Sequence, residues 1–165
     1  MNPILEDIQI LMTRELNSLK NEIELFPDDK ILWSVLPGIT NSAGNLIIHI
    51  CGNLNYFIGS VLGNTGFVRD RESEFSRKSG SRAELVAQLQ DTLEIIQKVL
   101  PGVSDSILAA NYPKTIGDFE LPCGRFLMHL AVHLSFHVGQ VGYLRRILTE
   151  NNLSSRAISL SALAV

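Results

Sequence analysis

A chain of 165 residues has the length of one ordinary globular domain and is too short for two well-developed cores. Hydrophobic residues at 45% against charged residues at 19% supply enough apolar surface to offset the entropy of ordering the chain, which excludes wholesale disorder. A net charge of -3 lacks the basicity that binding a phosphate backbone draws on, so nucleic acid is not an expected partner.

From Pro3 to about Leu25 the residues Leu5, Ile8, Met12, Leu16, Leu19 and Ile23 recur at spacings of three and four, the stripe of an amphipathic helix. Asn2 is its cap and Pro3 fits its first turn. Phe26-Pro27-Asp28-Asp29 stops it, because proline biases the preceding residue away from helical angles and the aspartates favour a turn. Ile31 to Pro37 reads as a loop anchored by Trp33. Ser42 then caps a second helix running to about Leu62, with Ile47, Ile50, Leu54, Phe57 and Val61 along one side and Gly63 as its stop. Gly52 and Gly59 weaken its interior, each by about 1 kcal/mol relative to alanine.

Residues 64–80 are polar and charged, so they are expected to form a long connection whose Arg69, Arg71 and Glu74 are solvated surface. Ser81 and Glu84 form a capping box for the clearest helix of the chain, which carries Leu85, Leu89, Leu93, Ile96 and Leu100 and ends at Pro101-Gly102. Turn signals at Asn111-Tyr112-Pro113 and Ile116-Gly117-Asp118 break residues 103–121, with short extended pieces expected around Thr115 to Leu121. After Gly124, Leu127, Leu130, Leu134, Val138, Val141 and Leu144 or Arg145 mark a fourth helix. The tail from Asn152 to Val165 is weakly patterned and is either disordered or packed on a partner.

The expected architecture is all-α, a four-helix bundle with long connecting loops, one domain over residues 1–165 with 151–165 as a flexible tail. Cys51 and Cys123 lack any paired spacing, so neither a disulfide framework nor a cysteine zinc module is expected and a reducing compartment fits. Both read as small buried apolar residues. The N-terminus mixes acids and bases into its apolar residues, no membrane span is expected, and the chain reads as cytoplasmic.

The chemistry is carried by four histidines, all on predicted helices. His129, His133 and His137 follow one another at intervals of four, so consecutive pairs share a helical face and can point two imidazoles at one ion. Spacing alone does not choose between His129/His133 and His133/His137. A third ligand must come from another helix, and His49 lies at the edge of the apolar stripe of helix two. Three neutral imidazoles would leave a first-row metal with open positions, the catalytic rather than the structural pattern, with zinc or nickel favoured. Asn45 and Asn53, one turn either side of His49, and Gln140, three residues after His137, are candidates to orient ligands or substrate, the alternative being that these amides simply cap or line polar gaps. His129, Tyr56 and Tyr143 read as packing residues, and no catalytic residue is assigned.

The segment His133-Leu-Ser-Phe-His137-Val-Gly139-Gln140-Val-Gly-Tyr143-Leu-Arg145-Arg146, together with Asn45-Leu-Ile-Ile-His49 on an earlier helix, resembles the DinB-like superfamily of bacterial four-helix proteins. The loop Arg69-Asp70-Arg71-Glu72-Ser-Glu74-Phe75 is similar to one branch of it. The resemblance implies an up-down-down-up bundle, frequently a homodimer, with a divalent metal such as nickel or zinc on His49, His133 and His137. It also implies the chemistry of a thiol S-transferase or hydrolase, in which the metal activates a low-molecular-weight thiol or water toward a small-molecule substrate. The competing expectation is a non-catalytic metal-binding or helical interaction module.

Overall fold

In a computed structural model of the protein, residues 2–156 and 159–163 are described. The secondary structure is helical, apart from isolated β-bridges that join Asn111 to Pro122 and Ile116 to Phe119. Four long helices dominate. α1 spans Pro3–Glu24 and is capped by the Asn2 side chain, which accepts from the Ile4 amide. A short helix, α2, covers Asp29–Leu32 within the segment read as a loop, and its cap is Asp28. α3 spans Ala43–Leu54 and continues as a π-helical segment over Asn55–Leu62. α4, Arg71–Ser76, interrupts the expected 64–80 connection. α5 spans Arg82–Val99 behind the predicted Ser81/Glu84 capping box, and α6, Asp105–Ala109, is another short helix within the expected turns. α7 runs from Cys123 to Thr149.

α1 packs against α7 and α5, and α3 packs against the same two helices. The predicted apolar stripes meet there: Leu5, Met12, Leu19, Ile47, Ile50, Leu54, Leu85, Ile96, Leu127 and Leu134 are all fully buried. Both residues at the ambiguous end of the α7 stripe, Leu144 and Arg145, are inside. Arg145 is kept there by its ion pair with buried Glu22 of α1 and by donating to the carbonyls of Asn151, at 2.9 Å, and Leu153, at 2.6 Å.

Those last contacts correct the reading of the tail. Asn151 and Leu153 are held by α7's own arginine, the Ser155 carbonyl accepts from Asn21 of α1 at 3.3 Å, and a short 3-10 turn covers Leu160–Leu163. The first part of the tail therefore folds back on its own chain, while residues 157, 158, 164 and 165 lie outside those described. Ala43–Leu62 is free of charged residues and long and apolar enough to cross a membrane, but 72% of an 18-residue stretch of it is buried inside the protein, as in a core helix, in line with the expectation of no membrane span.

Candidate metal centre

α3 and α7 pack side by side, and the histidines of the two helices converge. The ligand atoms of His49, His133 and His137 lie within 4.8 Å of one another, and His133 Nε2 and His137 Nε2 are 3.0 Å apart. The ring centroids form a triangle with sides of 5.3, 5.2 and 4.5 Å, and each pair of planes is close to perpendicular. An ion about 2.0–2.1 Å from each nitrogen would stand about 3.2 Å from each centroid, and tetrahedral directions would then separate the centroids by about 5 Å. The triangle fits that requirement. Among the described residues, this is the group of histidine, cysteine and acidic side chains that could hold an ion.

Hydrogen bonds decide which nitrogen each ring keeps free. His49 Nδ1 lies 2.8 Å from Glu74 Oε2 and His137 Nδ1 lies 2.7 Å from Gln140 Oε1. Gln140 Oε1 is an acceptor, and at His49 the Glu74 acceptor is nearer than the Arg69 Nη2 donor, 3.2 Å from the same Nδ1. With Nδ1–H donating in both rings each Nε2 retains its lone pair, the usual way a protein fixes the tautomer of a metal-binding imidazole. Burial, reinforced by the neighbouring imidazoles and Arg69, lowers the His133 pKa to about 4. His137 is also lowered, by burial first, which outweighs the opposing Gln140 hydrogen bond, with a smaller push from His49. Both rings are therefore neutral donors at neutral pH.

Glu74 was read as solvated and is instead buried. α4 delivers it: Asp70 caps the helix by accepting from the Ser73 amide at 3.0 Å, and Glu74 projects toward α3. There the Arg69 guanidinium donates to both carboxylate oxygens, at 2.6 and 2.8 Å. Burial alone would raise the Glu74 carboxyl, but the bonds from Arg69 and His49 outweigh it and hold its pKa below the ordinary value. Phe75 stacks at a tilt on His49, with centroids 4.9 Å apart. Arg71 is exposed, as expected, and lies over Phe75.

Gly52 explains how a helix of the core admits this carboxylate. A Cβ at Gly52 would stand 2.2 Å from Glu74 Oε1, so the glycine that weakens α3 also opens the space that Glu74 fills. Asn45 closes the other end of the device. It completes the Ser42 capping box of α3 and its Nδ2 donates to the carbonyls of Glu74, at 3.0 Å, and Arg77, at 2.8 Å. It fastens the backbone of α4, and none of its hydrogen bonds goes to a ligand ring. Trp33 holds the following turn by donating from Nε1 to the Gly80 carbonyl at 2.8 Å, and its indole lies where a side chain at Gly44 would go.

The other expected residues divide. Gln140 reaches a ligand ring; Asn53 is buried with its side-chain carbonyl unpartnered, and no hydrogen bond joins it to a histidine. His129 is exposed, stacked between Phe126 and His133. Tyr56 accepts from Lys114 at 2.9 Å. Burial drives the Cys51 thiol up to about 12 and raises Cys123 as well, which leaves both unsuited to nucleophilic work.

A cleft of about 350 Å³ opens beside His137 and Gln140, with Tyr143 on its edge. No curated protein matches the chain. The family model described as "Protein of unknown function (DUF1572)" matches residues 4–162, and the chain belongs to that family.

Proposed function

We propose that the protein is a metal-dependent enzyme that holds one zinc or nickel ion on His49, His133 and His137 and joins a low-molecular-weight thiol or water to a small electrophile. In this reading the four long helices form the up-down-down-up bundle of the DinB-like superfamily, with the metal site between two facing helices. The observation that carries the proposal is the tautomer control: Glu74 and Gln140 each occupy one nitrogen of a ligand ring, and the ligand atoms of the three rings converge, with the second nitrogen of His137 3.0 Å from His133 Nε2. A core histidine also takes a partner on one nitrogen, but it has no need to bring its ring together with two others as these three do.

A bound divalent ion would supply Lewis acidity, lowering the pKa of a coordinated thiol or water. The chain's own residues set the conditions for that chemistry. Three neutral donors leave the ion's charge undiminished, and Arg69 offsets the negative charge of Glu74 before it reaches His49. Glu74 and Gln140 hold the rings in place, and the cleft beside His137 admits the electrophile. Two buried, unbridged cysteines support a reducing, cytoplasmic setting.

The test is turnover by protein loaded with zinc or nickel, using 1-chloro-2,4-dinitrobenzene with a small thiol, and an activated ester without one. In the first reaction a sulfur–carbon bond forms and chloride leaves; in the second, water cleaves the ester. Metal-dependent product from either supports the proposal and selects its branch. Loaded protein that turns over neither, with any of several thiols, overturns the enzymatic reading.

A further inference from the structure

The cleft beside His137 differs in character from the histidine cluster it adjoins. Its floor is buried Leu46 and Leu144, and its rim is Ile39, Tyr143 and Ile147, which are 44%, 70% and 58% exposed. One wall is the Leu36–Asn41 loop, shaped by a turn in which the Ile39 amide donates to the Leu36 carbonyl at 3.0 Å and Gly38 adopts a φ of 80° that favours glycine. No lysine, arginine, aspartate or glutamate lines it; the polar groups are Thr40, Asn41, Gln140 and the Tyr143 hydroxyl, with His137 at the end that meets the ion site. At about 350 Å³ it lies at the small end of the roughly 300–1,000 Å³ range of ligand clefts.

We infer that this cleft binds the uncharged, apolar portion of the substrate, a short aliphatic or aryl group whose polar reactive head lies at the ion. The inference rests on the metal reading proposed above and adds the substrate class to it. Two features support it. Continuity comes from His137 and Gln140, which belong both to the cluster and to the cleft wall. Selectivity comes from the lining: a phosphate or carboxylate on the tail would lose its hydration and meet no cation, an outcome that strongly disfavours its burial, whereas each methylene placed against Leu46, Leu144 and Ile147 gains by leaving water. Exposed Ile39 and Ile147 are then the surfaces that the substrate covers.

The experiment measures binding of hydroxamates to zinc-loaded protein by calorimetry, which reads affinity without turnover. Acetohydroxamate reports the ion, octanohydroxamate adds the apolar tail, and suberic monohydroxamate carries the same length of tail with a terminal carboxylate. The expected result is affinity rising about fourfold per buried methylene up to the length of the cleft. The carboxylated chain should bind at least about tenfold more weakly than the plain one. Ile147→Ser should flatten the chain-length dependence while the protein keeps its zinc. If acetohydroxamate itself fails to bind, the metal reading falls and this inference with it. If acetohydroxamate binds but affinity is flat with length, or the carboxylated tail is preferred, only the substrate class is overturned. A dimer that Ile39→Ser and Ile147→Ser both dissociate also overturns it, because a second copy of the chain would then cover the rim.

Discussion

Two buried carboxylate–guanidinium pairs tie connecting segments to the long helices, and they end differently. Glu22 and Arg145 meet across α1 and α7, and the remaining donors of Arg145 go to the backbone of the C-terminal tail. That network closes on backbone carbonyls: the hydrogen bonds of Arg145 all stay within the fold. Glu74 and Arg69 meet against α3, and there the carboxylate passes its hold to His49, whose other nitrogen is free among two further imidazoles. The first arrangement secures the chain and the second prepares a donor. The same pair of residue types therefore makes structure or chemistry according to whether the last atom of the network is satisfied.

Breaking the closed pair should have the largest effect. Arg145→Met leaves Glu22 charged and unpaired in the interior, and should lower the unfolding free energy by about 3–5 kcal/mol, measured by denaturant titration, with the metal content of the folded protein unchanged. A comparable loss of metal would show that the two networks are not separate.

The open pair should respond in the opposite sense. Glu74→Gln keeps an acceptor near His49 but removes the charge that fixes its tautomer, and should weaken metal binding by about 10–100-fold in a competition with a chelating dye. Gly52→Ala sharpens the contrast. Alanine favours the helix intrinsically by about 1 kcal/mol, yet its Cβ would displace Glu74 from Arg69 and His49. Metal affinity should therefore fall by a similar factor, and the metal-free protein should melt at a lower temperature as well, because separating buried Glu74 from Arg69 outweighs the gain in helix propensity.

A pH dependence comes last, because the half-buried rings are partly screened by solvent. His133 at about 4, and His137, lie below the ordinary 6.5. Between those values the unfolded chain binds protons that the folded chain does not, so the metal-free protein should lose stability as pH falls from about 6.5 toward 4. Glu74, held below its ordinary 4.5, extends the loss below that value, because its stabilising ionised form is then given up. Thermal melts across this range in the presence of a chelator check the sign; stability rising on acidification would contradict it.

Much of the fold was legible because the long helices announce themselves locally. The stripes of α1, α5 and α7, the Asn2 cap, the Ser81/Glu84 box and the break at Phe26-Pro27 depend on residues within one or two turns. The π-helical register of Asn55–Leu62 shares the apolar pattern of the α-helix before it, so nothing in the spacing distinguished it. In the site, histidines at intervals of four were visible; their spacing left His129 and His137 open and only the resemblance chose His137, while the physical reason is the position of His49, which is set by packing between α3 and α7. The charges were hardest to read. Arg145 is inside because a partner 123 residues away receives it, and Glu74 because Arg69, five residues before it, and His49, 25 residues away, both bond it; neither pairing shows in the composition of a window. Gly52 was the one local signal of the Glu74 contact: a costly glycine inside an apolar helix marks a close approach.

The central claim is that imidazoles from two helices hold one ion, and metal analysis of the purified protein and its single variants tests it most directly. Protein from metal-replete cells, purified without chelator, should carry about one divalent ion per chain; His49→Ala, His133→Ala and His137→Ala should each lose it, and His129→Ala should keep it. Wild-type protein free of metal under those conditions, or a His129→Ala variant that loses the ion while His49→Ala retains it, would contradict the account.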